Sequence, residues 1–195
     1  GGSTPQAQPG ATQSAAPVIK DPAEYNAYMG AMQQTDPNAK ISALEAFMTQ
    51  YPNSVVKVDA LELLLAAYQQ SGNEAKTIDT AQKLLQGNPN NVRALAILAY
   101  SFRSIALNGQ GADAQQALTQ AQDYGQKGLS AIDTFQKPSG MSDPDFDKLK
   151  GQMMEIFQSA VGNGAFQQKD YPTAIKNLKA ASDVSPTDFS LVYPL

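Results

Sequence analysis

Apolar residues recur along most of this chain at three- and four-residue spacing, the signature of helices that bury one face. The pattern opens after Asp21-Pro22, where Asp suits a helix N-cap and Pro the first helical position. Tyr25, Tyr28, Met29 and Met32 then share one face, and Asp36-Pro37 breaks and restarts the run. Ile41, Leu44, Phe47 and Met48 mark a second helix that closes at Tyr51-Pro52-Asn53-Ser54. A third carries Leu61, Leu64, Leu65 and Tyr68 to a turn at Ser71-Gly72-Asn73, where glycine adopts a positive φ at little cost. Ile78, Ala81, Leu84 and Leu85 stripe the fourth, which ends at Asn88-Pro89-Asn90-Asn91.

The next helix repeats the third, with Leu95, Leu98, Ala99 and Phe102 standing where Leu61, Leu64, Leu65 and Tyr68 stood. Asn108-Gly109-Gln110-Gly111 reads as a looser turn. Beyond it the apolar positions Ala117, Leu118, Ala121, Tyr124, Leu129, Ile132 and Phe135 predict one extended helix, closed by Lys137-Pro138-Ser139-Gly140. Gly125 and Gly128 lower its stability by about 1 kcal/mol each unless they permit close helix contact. Asp143-Pro144 opens a helix carrying Phe146, Leu149, Met153, Ile156 and Phe157, and Ala174, Ile175, Leu178 and Ala181 mark the last one before Pro186.

The stretch from Met153 to Pro186 resembles the tetratricopeptide repeat. The resemblance rests on Val161-Gly162, Ala174, Leu178, Ala181 and the closing Pro186, and on small residues where two helices of a pair must touch. It departs at Gln158 and Ala165, where the family carries larger aromatic residues. Pro52 and Pro89 stand 37 residues apart, near the family period of about 34. The resemblance implies an all-α fold, a right-handed α-α superhelix (a solenoid) of about four helix pairs, with units at 21–53, 54–90, 91–142 and 143–186. Residues 187–195, with Phe189, Leu191 and Val192, either begin a further repeat or cap the last one. The Tyr51-Pro52-Asn53-Ser54 closure resembles repeats of bacterial envelope proteins that assist outer-membrane assembly or bind the Tol machinery.

In that family the first helix of each pair lines a concave groove. Carried over by position, the candidate groove residues are Asp59, Glu62, Gln69, Arg93, Ala96, Tyr100, Arg103, Asn163, Phe166 and Gln167. Arg93, Tyr100 and Arg103 fall near one helical face, which suits an acidic or extended peptide; alternatively, the arginines pair with Asp59 or Glu62. The family's carboxylate clamp is not reproduced, because Ala66 and Tyr100 occupy positions where Asn is expected. The resemblance therefore implies a binding scaffold for another protein or peptide, without catalysis or cofactor, or alternatively a structural spacer of the cell envelope.

Composition narrows the chemistry. The 195 residues carry a formal charge of -4 and a sequence pI near 4.7, which offers no broad basic surface to nucleic acid. Without Cys or His, thiol nucleophiles, zinc thiolate sites and imidazole bases are excluded. Asp143, Asp145 and Asp147 alternate as a calcium loop begins, but Pro144 and Lys148 break that pattern and helix capping explains the carboxylates. Gly162-x-Gly164 lacks the strand and Lys-Ser/Thr of a phosphate loop. Asp79, Asp123, Asp133 and Asp183 show no spacing that pairs two acids across a cleft. No run of about 20 apolar residues predicts a membrane span. Residues 1–20, rich in Gly, Pro, Gln and Ala, read as a flexible tether. Such a segment follows a removed leader or an upstream lipid anchor in an exported protein, and an interdomain linker in a cytosolic chain looks the same; the expected address is extracytoplasmic, periplasmic or secreted.

Overall fold

The computed structural model describes residues 18–182, and these form eight α-helices and one short 3-10 turn with no strand among them. They are α1 (Pro22–Met32), α2 (Pro37–Gln50), α3 (Lys57–Ser71), α4 (Glu74–Gly87), α5 (Val92–Asn108), α6 (Gly111–Ala131), α7 (Asp143–Gln167) and α8 (Tyr171–Ser182). Most of the proposed tether and the segment after Ser182 lie outside the described residues.

Local chemistry sets the helix boundaries. Asp21 and Asp36 cap α1 and α2 by accepting from the Ala23 and Ala39 amides at 3.1 and 3.0 Å, with Pro22 and Pro37 as first helical residues. Asn73 and Asn91 do the same for α4 and α5. Such caps satisfy amides that have no partner in the first turn and contribute about 1 kcal/mol each. Gly72 ends α3 at φ 74°, and its own and the following amide close back on Gln69 and Tyr68. The turn between α7 and α8 instead uses Lys169 at φ 63°, a conformation that costs a side-chain-bearing residue about 1–2 kcal/mol. The expected looser turn after α5 spans only Gly109 and Gln110, with Gly111 at φ 71° opening α6.

Each helix packs against the next in sequence, and α5 also reaches α7. Side chains extend the relationship to alternate helices: the Asp59 charge on α3 acts on Tyr28 of α1, and Asn91 at the start of α5 donates to Glu62 of α3.

The core runs through every helix from α1 to α7. Phe47 is buried between Tyr28 and Tyr51, with ring centroids 5.3 and 5.4 Å away. In α5 every residue from Ala94 to Ala99 is buried, because α4, α6 and α7 cover it from different sides. A helix enclosed this way is apolar around its circumference over that stretch. Ala96, expected in the groove, is consequently core.

The extended α6 holds 21 residues and ends in the 3-10 turn Ile132–Thr134. Its glycines are contact points. A Cβ on Gly125 would stand 2.8 Å from the Phe157 carbonyl oxygen, and one on Gly128 would enter the Phe157 ring. Gly162 on α7 fits under Leu178 of α8, where a Cβ would come within 2.6 Å of the side chain. The helix-propensity cost of these glycines is thus offset by close approach, with Phe157 and Ala160 fully buried beside Gly125 and Gly128. Gln122 and Gln168 complete the seam, their amides facing each other with one bond of 2.9 Å.

Candidate interaction surface

Three first helices, α3, α5 and α7, carry the residues expected to face a partner. Glu62 and Arg93 come together at the start of α5, within an open cleft of about 690 Å³. Its far wall is the loop after α6. This loop folds back so that Phe135 lies beneath the Arg93 guanidinium at 5.6 Å from the ring centroid, while Phe146 of α7 packs against Phe135 at 5.3 Å. Lys137 anchors the same loop through a 2.7 Å ion pair with Asp143 at the start of α7, which holds the Asp143 carboxyl below its ordinary range. Ser142, rather than Asp143, caps α7 by accepting from the Asp145 amide.

Electrostatics inside the cleft are mixed. Burial pushes the Glu62 carboxyl above its ordinary pKa; Arg93 and the 3.4 Å hydrogen bond from Asn91 oppose that shift, and the nearby Asp59 charge adds to it. Desolvation outweighs the favourable partners. Glu62 is poorly solvated beside Arg93, whose guanidinium lies over the Phe135 ring.

The other candidate residues do not converge on this cleft. Asp59 is exposed beside it. Gln69 and Arg103 are half-buried, and the Gln69 Oε1 and Arg103 Nε atoms are buried with no hydrogen-bond partner among the described residues. Each such atom carries a desolvation cost of about 1–3 kcal/mol that an incoming polar group could relieve. Tyr100 is 43% exposed and Phe166 62% exposed, the latter edge-on to Tyr171 at 5.9 Å. The Asn163 amide turns back to its own helix, donating to the Ser159 carbonyl at 2.6 Å. Gln167 is half-buried in the last turn of α7.

Sequence reasoning missed Phe135, Asn91 and Lys137. Asn91 caps α5 through its Oδ1, which accepts from the Ala94 amide, and this leaves its side-chain NH2 to donate to Glu62. Phe135 looked like the last apolar position of a helix. Only the 3-10 turn that ends α6 redirects it onto Arg93.

A second concavity, unanticipated, lies between α2, α3 and α4 and encloses about 740 Å³. Met48, Leu61, Leu64 and Leu84 line it, with Tyr68 on α3 donating its hydroxyl hydrogen to Glu45 of α2. Burial and that hydrogen bond raise the phenol's pKa well beyond its ordinary value.

Among the described residues no three Asp or Glu side chains are grouped to hold a metal ion, and none of their helices is long and apolar enough to cross a membrane. No family model matches the chain, and no curated protein matches it.

Proposed function

We propose that the chain is a tetratricopeptide-type right-handed superhelix whose inner surface binds an extended, acidic segment of another protein, without chemistry of its own. Fold class alone does not assign a role, so the reading rests on the site. The observation that carries it is the open cleft in which Arg93, stacked on Phe135 and flanked by Glu62 and Asn91, stands at the start of α5. Arg103, almost three turns further along α5, has its Nε buried without a hydrogen-bond partner among the described residues. Two guanidinium groups on one helix suit successive carboxylates of an extended peptide, and packed helices need little ordering when it docks.

The stacking of each helix on its neighbours, and the closing prolines 37 residues apart, support the superhelix. Its handedness and curvature are part of the proposal. An extracytoplasmic address in a bacterial envelope is proposed with it, on the resemblance of the Tyr51-Pro52-Asn53-Ser54 closure and the uncharged, Gly-, Pro-, Gln- and Ala-rich composition of residues 1–16.

The test is binding of a displayed library of acidic peptides to the full chain, followed by titration of enriched sequences against Arg93→Ala and Arg103→Ala. Binding weakened by roughly tenfold or more in each variant, with unchanged helicity, supports the proposal. No enrichment, together with tight self-association of the chain, favours a structural spacer instead.

A further inference from the structure

The groove between α2, α3 and α4 lies outside the inner-surface reading, and its lining is specific. Its floor is apolar: Leu61 and Leu64 of α3, Met48 of α2 and Leu84 of α4. Val58 stands at its edge, 55% exposed. Around this floor stand three lysines and two carboxylates, although the chain as a whole is acidic. Both carboxylates are engaged. Glu45 accepts from the Tyr68 hydroxyl, and Asp79 forms a 3.0 Å ion pair with Lys83. Neither Lys57 nor Lys76 has a carboxylate within ion-pairing distance among the described residues.

Helix geometry separates those two lysines. Lys57 is the first residue of α3, and Lys76 lies in the first turn of α4, just after the hairpin at Gly72. With a rise of about 1.5 Å per residue, they stand roughly 16 Å apart along the groove. About five extended residues span that distance at about 3.3 Å each.

We propose that this groove is a second docking site, for an extended apolar segment of a partner protein bracketed by acidic residues. The apolar side chains enter between Met48, Leu61 and Leu84, and the flanking carboxylates meet Lys57 at one end and Lys76 at the other. Charge complementarity selects this occupant: a segment bracketed by lysines would meet like charge at both ends, and an uncharged one would leave both ammonium groups unused. The site is independent of the Arg93 cleft, so each can fail without the other.

The experiment titrates the full chain with fluorescein-labelled peptides of five apolar residues flanked by Asp or Glu, followed by fluorescence anisotropy. Lysine-flanked versions serve as controls. Expected are binding by the acid-flanked peptides alone, a loss of roughly tenfold or more in the Lys57→Glu/Lys76→Glu double variant, and a smaller loss in Val58→Ser. Arg93→Ala binds as wild type does. Because Lys57, Lys76 and Val58 are exposed, these variants retain the fold, checked by circular dichroism. The proposal is overturned if no acid-flanked peptide binds or if the lysine substitutions leave binding unchanged. It is equally overturned if sedimentation shows a dimer that the double variant dissociates, which makes a second copy the occupant. Binding that appears only after deletion of residues 183–195 overturns it in favour of the chain's own segment.

Discussion

The seam between α6 and α7 and the junction of α2, α3 and α4 bury similar kinds of side chain and end in opposite results. In the first, Gly125 and Gly128 let the Phe157 backbone and ring approach until no space remains. In the second, Leu61, Leu64, Tyr68 and Leu84 occupy the corresponding faces, and a groove of about 740 Å³ stays open. The difference teaches that residue volume at the contact, rather than hydrophobicity, decides whether neighbouring helices seal or leave a surface for something else. Glycine costs helix propensity, yet at a seam it is exchanged for dispersion contacts that a larger residue would forbid.

The sharpest way to break this comparison is to remove what the glycines accommodate. Phe157 is fully buried, and Phe157→Ala is expected to destabilise the chain by about 3–5 kcal/mol in urea denaturation. A cost below about 1 kcal/mol would mean that the α6–α7 seam is not packed as described. Next comes Gly125→Ala. Its Cβ meets a backbone carbonyl that has little freedom to shift, so overpacking by about 1–3 kcal/mol outweighs the helix-propensity gain.

The same substitution at Gly30 sharpens the contrast by reversing sign. Nothing lies within 4 Å of a Cβ there, and Gly30→Ala is expected to stabilise α1 by about 0.5–1 kcal/mol. Thermal unfolding of the two glycine variants side by side checks both signs; equal shifts would remove the distinction between seam and surface.

Much of this architecture was legible in the chain. Asp21-Pro22, Asp36-Pro37 and Gly72 act through their immediate neighbours, so the boundaries they set follow from local chemistry. The suspicion that Gly125, Gly128 and Gly162 mark helix contacts likewise followed from their lack of a side chain. The cleft around Arg93 was only half legible. Glu62 and Arg93 could be placed on adjacent helices by repeat position, but Phe135 reaches them from over 40 residues away in sequence through a turn with no local signature. Ala96 was misplaced because repeat position assigns one buried face, whereas α5 is covered on several sides.

The smallest expected effect concerns the electrostatics of that cleft. Because the folded-state pKa of Glu62 is raised above its reference value of 4.5, its contribution to stability is full below that value and is lost as pH rises through the folded pKa. Glu62→Gln keeps an acceptor for Asn91 and removes the poorly solvated charge. It should be neutral or stabilising within about 0.5 kcal/mol at pH 7, with the difference from wild type vanishing on acidification. Urea unfolding at a series of pH values reads this; a large loss at pH 7 would make the Glu62–Arg93 attraction dominant over desolvation.

Hydrogen exchange, read by mass spectrometry with and without an enriched acidic peptide, tests the central claim most directly. The account predicts added protection in the segments of α3, α5 and the 132–138 loop that carry Glu62, Arg93, Arg103 and Phe135, and its disappearance in Arg93→Ala. Protection confined to other segments, or unchanged by that substitution, would contradict it.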